Sequence, residues 1–500
     1  MRLVAVVSVA ALLLLLVPLL RIAFYTTPWY DDYLYGRFVK NFIKQECSFQ
    51  SAWQGALYSI KIQWYAWQGT FSSIFFMSMV PSVWGDGYYF WGPLFLITIL
   101  PVAVFMLVGV LVRSVLKADL ASCVILQSVT AVAVIVFIYS SRDGFFWYNS
   151  GIHYVGMHSF LMITAAVWIK LLEGKGRVSA VLLLFWSLIG SVLAGGANYV
   201  TALQGLLLIM SIFALGALLR KKRSFLLLPS LLLYAFAFYK NVSAPGNNVR
   251  KDILSSSGLG MDAISAIGNS FVEACRHMWI FTGIRLLTLM ILLLPIIWKM
   301  LKKTEFRFRF PGLVLLWSFC FYATGFTPSL YSLGHAGVDR TLNAVKITWQ
   351  ILLLLNQIYW LGWLKQKAEQ NVDDKAAIFA RRLISCFGEW TGIPLSFYLV
   401  MGMLMLGIFA IEPNQTAYYS SYGAYVCVHS GEAYEFYKEY LARVEAVING
   451  QDVVTVTPYH FKPEFLYLGD LTDDPWNEAN RAMATWYGKQ AIICQNIDSE

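Results

Sequence analysis

Apolar runs of about 20 residues recur from one end of the chain to the other, and that is the length an α-helix needs to cross a bilayer. Inside a membrane every backbone polar group must find its partner within the protein, so a chain built of such runs folds as a bundle of helices. About eleven spans are predicted on this basis. They fall near Leu3 to Phe24, Tyr89 to Val112, Asp119 to Ser140, His153 to Glu173, Val178 to Gly196 and Val200 to Leu219. The rest lie near Phe225 to Tyr239, Cys275 to Trp298, Pro311 to Pro328, Val345 to Leu364 and Gly392 to Ile411. Hydrophobic residues make up 58% of the 500 and charged ones 13%, which places the chain among all-α polytopic membrane proteins. The first run is too long and too poor in small cleavage-site residues for a signal peptide, and reads as a retained anchor.

The formal charge of +9 raises the question of a nucleic-acid partner. The basic residues are instead gathered in short clusters between apolar runs, which is a signal of topology, and no nucleic acid is expected. Alternating sides from a cytoplasmic N-terminus puts every strongly basic connection inside: Arg113 with Lys117, Lys175 with Arg177, Arg220 to Arg223, Lys299 to Arg309, and Lys365 to Arg382. The same alternation puts residues 25–88, 141–152, 240–270, 329–344 and everything after Glu412 outside the cytoplasmic membrane. Cys123, Cys275, Cys320 and Cys386 lie in or near apolar segments without the close pairing of a metal site, so no metal centre is read from them. Cys47, Cys427 and Cys494 fall outside, where one disulfide could form.

The first outside loop has apolar residues at helical spacing through Phe38, Val39, Phe42 and Ile43, and again through Ala56, Leu57, Ile60 and Trp64. With Trp53, Trp67 and Trp84 nearby, these stretches are expected as two interfacial helices forming a ledge at headgroup depth. A transmembrane domain over 1–412 is followed by a segment of soluble composition over 413–500. There the patterns predict a helix over Gly431 to Ile448, a short strand after Asp452 and a helix over Asn477 to Tyr487, a small α/β cap outside. Asp470, Asp473 and Asp474 lack a calcium-loop spacing and read as solvated turn carboxylates.

Asp31 and Asp32 follow directly on the first span, in Trp29-Tyr30-Asp31-Asp32-Tyr33. Two adjacent carboxylates beside the hydrocarbon layer are costly unless something uses them, so they are the first candidates for chemistry; the alternative is a cap for the helix that begins near Tyr33. This layout, an acidic pair after the first span, two amphipathic helices, many further spans and a small outside C-terminal domain, resembles the GT-C superfamily of integral-membrane glycosyltransferases. The motifs Asp31-Asp32-Tyr33, Trp64-Tyr65-Ala66-Trp67-Gln68-Gly69 and Ala244-Pro245-Gly246-Asn247, with the outside Arg340, are similar to a group of bacterial GT-C-like proteins.

The resemblance implies transfer of a sugar from a polyprenyl-phosphate-linked donor, held in the membrane lipid, to a cell-envelope glycan or lipid acceptor on the outer face. An Asp of the first loop then serves as base toward the acceptor hydroxyl, and cations hold the departing phosphate. Asp31 and Asp32 are the catalytic candidates; Tyr33, Trp67 and Asn247 join the substrate-binding set through the motifs. Thr70 stands where the group usually has Arg, so phosphate contacts are expected from Arg340, Arg250, Lys251 and Arg142, cations kept outside against the topological bias. His153 and His158 near the outer face and His335 in an outside loop could relay protons or hold a metal, but hydrogen-bonded interior histidines are the favoured reading; His335 joins the substrate-binding set, and Asn198 reads as a polar helix break. A divalent cation could assist, but no pattern requires one. A flippase of lipid-linked saccharides and a non-catalytic polysaccharide-assembly subunit remain as alternatives; an internal inverted repeat, which would favour transport, is not evident.

Overall fold

The computed structural model describes residues 1–174, 176–256, 258–302, 304–369, 375–387 and 395–495. Lys175 of one basic connection, and the start of the span read from Gly392, lie outside these residues. Helix α1 (Arg2–Ile22) is followed by α2 (Asp31–Gln45), α3 (Phe49–Ala66) and α4 (Phe71–Ser78), then by α5 (Trp91–Gly109), α6 (Leu120–Val136), the single turn α7 (Tyr148–Gly151) and α8 (Met157–Glu173). Next come α9 (Arg177–Gly195), α10 (Tyr199–Leu218), α11 (Leu228–Val242), α12 (Pro245–Ser256), α13 (Ala263–Leu301), α14 (Pro311–Ala323), α15 (Thr327–Leu333) and α16 (Asp339–Ala368). The chain continues through α17 (Lys375–Phe387), α18 (Leu395–Ile411), α19 (Gln415–Tyr418), α20 (Ser420–His429) and α21 (Glu432–Asn449) to β1 (Val453–Val456), α22 (Glu478–Tyr487) and β2 (Ala491–Cys494).

Among the described residues, 8 helical stretches are long and apolar enough to cross a membrane: Arg2–Tyr25, Asp86–Val115, Tyr148–Glu173, Arg177–Gly195, Tyr199–Leu218, Lys222–Val242, Ala263–Leu301 and Pro311–Leu333. The apolar helices Leu120–Val136 and Val400–Ile411 are shorter. The chain is therefore nearly all-α and of multi-pass membrane character. The expected span at Val345 to Leu364 lies within α16, which is long but carries polar residues that serve its neighbours. Gln350 Nε2 donates to the Ala133 carbonyl (2.9 Å), Gln357 Nε2 to that of Met290 (2.6 Å), and Asn356 Nδ2 to Ser318 Oγ (2.9 Å). Such bonds place α16 inside the bundle, where protein and not lipid covers its polar face.

The two amphipathic stretches of the first loop are helices and pack on each other as α2 and α3. Gly55 lets them approach so closely that a Cβ there would lie 2.7 Å from Val39 Cα. Beyond α18, α20 runs against α1 and α6, and α22 packs on α2, so the C-terminal segment rests on the start of the chain. Strands β1 and β2 pair in parallel with Val453 opposite Ala491, a connection that carries α22 between them. Strand β2 is missing from the sequence-based expectation: Ala491–Cys494 holds only two β-branched residues, where every residue of β1 is β-branched. Asp470 is no solvated turn carboxylate: it receives Arg443 Nη1 at 2.7 Å and the Tyr459 amide at 2.8 Å. Cys47, Cys427 and Cys494 are free, so the conceivable disulfide is not formed.

Candidate functional site

Asp31 and Asp32 open α2, yet their surroundings differ. The Asp32 side chain is fully buried and receives three donors: the Trp29 amide (2.9 Å), the Tyr89 hydroxyl (2.9 Å) and the Asn149 amide (3.0 Å). Tyr89 in turn accepts from the Tyr148 amide at 2.9 Å. Asp32 thus ties the start of α2 to the head of α5 and to α7, and no reactant can reach a carboxylate so enclosed. Burial pushes its pKa up to about 7, opposed by the Trp29, Tyr89 and Asn149 hydrogen bonds and reinforced by the neighbouring Asp31. The capping alternative fails in its simple form, because Tyr30, the residue before the helix, makes no side-chain cap and neither carboxylate bonds an amide further along α2.

Asp31 instead faces Arg340, whose Nη1 lies 3.6 Å from Asp31 Oδ2. Arg340 enters at the first turn of α16 and holds its guanidinium 5.1 Å from the centre of the Trp147 ring. Burial raises Asp31 above the usual carboxylate range, Arg340 works against that, and Glu478 of α22 adds to it. Glu478 accepts the Tyr30 hydroxyl, so the C-terminal segment closes one side of the pair.

A second cation completes the array. Arg250 of α12 donates from Nη1 to Gln68 Oε1 (3.2 Å) and lies 5.4 Å from the Trp67 ring centre, while Gln68 Nε2 donates to the Tyr35 hydroxyl (3.1 Å). Tyr35, one helical turn beyond Asp31, is within electrostatic reach of Asp31, Arg250 and Arg340 together. The turn that reaches Thr70 therefore receives a cation from a different helix. Thr70 itself is buried and its hydroxyl has no partner. Asn247 fixes this geometry from behind: its Oδ1 accepts the Gly69 amide (3.1 Å) and the Tyr199 hydroxyl, and its Nδ2 donates to the carbonyls of Asn241 (2.9 Å) and Val242 (3.0 Å). Every amide position of Asn247 is thereby used to join two loops.

The remaining candidates stand apart from this array. Tyr33 points into the C-terminal segment, its ring 5.4 Å from that of Trp486. Lys251 lies 5.6 Å from the Tyr331 ring centre, and His335 accepts the Gly337 amide in an exposed loop (3.2 Å). Arg142 pairs with Asp143 (3.5 Å) and reaches the Tyr467 carbonyl (3.4 Å). His158 is an interior histidine, Nε2 beside Thr348 Oγ1 at 3.1 Å, and Asn198 caps α10 by accepting the Thr201 amide (3.0 Å). Tyr35, Tyr89, Trp147, Asn149 and Glu478 escaped the sequence reading, and Gln68 entered it only as part of a motif. Tyr35 alone had a legible signal, its i+4 spacing from Asp31. Among the described residues no group of three or more His, Cys, Asp or Glu side chains is placed to hold a metal ion. No family model, curated protein or solved structure matches the chain.

Proposed function

We propose that the chain is a glycosyltransferase of the GT-C kind, moving a sugar from a polyprenyl-phosphate donor to a cell-envelope acceptor on the outer face of the membrane. The observation that carries this reading is the Asp31–Arg340 pair, a base and a cation 3.6 Å apart, with Arg250 on the neighbouring turn. In this reading Asp31 takes the proton of the acceptor hydroxyl as its oxygen attacks the anomeric carbon. The bond from that carbon to the phosphate oxygen breaks, and its electron pair leaves on the phosphate, where Arg340 and Arg250 stabilise the charge. A carboxylate raised toward neutrality is the stronger base, and Arg340 keeps it ionised until it acts.

The proposal includes about eleven spans with the N-terminus inside. The basic connections gather at one end of the bundle: Lys117 pairs with Glu305 (3.7 Å), Lys221 with Glu173, and Lys365 Nζ donates to the Leu301 carbonyl (3.2 Å). Asp31 lies beyond the other end of α1, and Phe49, Trp53, Leu57 and Tyr58 of α3 are exposed beside it as the apolar side of a ledge. The test is transfer from a synthetic polyprenyl-phosphate sugar by purified protein. Asp31→Asn should lower the rate by about 10² to 10⁴ with its thermal midpoint unchanged. A folded Asp31→Asn protein that transfers sugar at the parental rate overturns the reading.

The flippase alternative draws support from one observation, the break in α13 at Gly283, since interrupted helices recur in transporters. It requires that Asp31→Asn vesicles still move lipid-linked saccharide.

A further inference from the structure

The break in α13 has chemistry around it that the Asp31 site does not use. Gly283 leaves the helix with φ 49° and ψ 175°, a conformation that favours glycine, and a new helical segment begins at Ile284. The first amides of a helix have no partner within it, and its start carries positive potential. Arg285 sits in that first turn. Its Nη1 lies 3.6 Å from Glu412 Oε2, an ion pair too long for a hydrogen bond, and its guanidinium is 3.9 Å from the centre of the Tyr418 ring.

Across from it stands Lys346 of α16, within electrostatic range of Arg285. The Lys346 ammonium lies 5.9 Å from the Tyr139 ring centre and 5.8 Å from that of Phe281, and no carboxylate is paired with it among the described residues. Two basic side chains and one carboxylate meet at this junction of α6, α13 and α16, in an otherwise apolar setting. Leu286 and Leu289 bury against Val136, Phe137, Met405 and Tyr419, while Ile284 and Leu287 are more than 45% exposed at 59% and 50%. The cations therefore border a face that hydrocarbon chains can cover. An unpaired cation retained at such a place is a functional feature by default.

We propose that this junction binds the phosphate of a membrane lipid, held by Lys346 and Arg285 at the break in α13, with the lipid chains lying along Ile284 and Leu287. It uses neither Arg340 nor Arg250 and stands whether or not the protein transfers sugar. A phospholipid of the bilayer and a polyprenyl monophosphate share the required headgroup chemistry.

The full-length protein in detergent, carrying Arg250→Gln and Arg340→Gln to silence the other cations, distinguishes them. The probes are dioleoyl phosphatidylglycerol, a polyprenyl monophosphate and phosphate-free dioleoylglycerol. Binding is read by native mass spectrometry, and acylation of Lys346 by peptide mass spectrometry. At least one phosphate lipid should shield Lys346 from acylation, dioleoylglycerol should not, and Lys346→Gln should weaken that lipid roughly tenfold while Lys346→Arg retains it. Shielding by phosphatidylglycerol alone assigns the site to the bilayer, and by the polyprenyl phosphate alone to the carrier. The shielding assay needs no variant at Lys346, so misfolding of Lys346→Gln leaves it decisive. If neither phosphate lipid shields Lys346, or dioleoylglycerol shields it equally, the proposal falls.

Discussion

At the residue scale the two adjacent carboxylates divide their roles by what surrounds them. Asp32 is enclosed by the Trp29, Tyr89 and Asn149 donors, whereas Asp31 meets Arg340. Because burial lifts Asp32 from 3.8 to about 7, the folded protein keeps a proton that the unfolded chain releases between those values. Its contribution to stability is therefore most favourable below about pH 4, declines as pH rises, and levels off above about pH 7. Asp32→Asn should remove this decline, so thermal midpoints measured in detergent from acid to neutral pH should fall more for the parent than for the variant. Equal slopes would mean that Asp32 is solvated. Arg340 makes a different expectation. Replacing it by Ala should weaken binding of a polyprenyl-phosphate donor by about 1.5 to 3 kcal/mol, the range for hydrogen bonds to charged groups, read by titration of the purified protein. Parental affinity would move the phosphate site elsewhere.

At the scale of elements, the turn between α3 and α4 and the turn between α11 and α12 interlock through two glycines. A Cβ on Gly246 would lie 2.5 Å from the Trp67 amide nitrogen and 2.9 Å from that of Gln68, and one on Gly69 would lie 1.9 Å from the Asn241 carbonyl oxygen. These neighbours are backbone atoms and cannot rotate away, so the turns must separate to admit a methyl group. Gly246→Ala is expected to cost about 1 to 3 kcal/mol, the range for overpacking, and to carry Arg250 away from Gln68. Both a lower thermal midpoint and weaker donor binding should follow; loss of neither would show that the two turns are not in contact. The sequence displayed each turn as a motif, but nothing in either motif says that they touch. That contact depends on how α12 packs against α3, two helices far apart in the sequence.

At the scale of the whole molecule, the basic connections lie at one end and the carboxylate–arginine array beyond the other, and the proposed topology puts the first inside and the second outside. In a background lacking Cys47 and Cys275, cysteine at Ser255 or Asp473 should react with an impermeant maleimide on intact cells, and cysteine at Lys222 should not. The reverse pattern would invert the topology and remove the site from the outer face. All three positions are exposed, so failure to label reports the side and not burial.

The sequence by itself determined the helical bundle, the two helices of the first loop, α21, α22 and the first strand of the C-terminal segment, and Asp31, Arg340 and Arg250 as candidates. Each of these is a local signal: a run of apolar residues, a period of 3.6, or a charge kept where charge is costly. Tertiary structure alone decided which carboxylate is buried, since the adjacent residues Asp31 and Asp32 differ only in what other elements bring to them. It also decided that Arg340 meets Asp31 and that Arg250 joins the turn ending at Thr70. It set Tyr33 and Asn247 to structural contacts, because a side chain's partners depend on packing between distant segments. The break at Gly283 belongs to the same class. A glycine within an apolar run looks like any other small residue in a span, and only the backbone shows that the helix stops there.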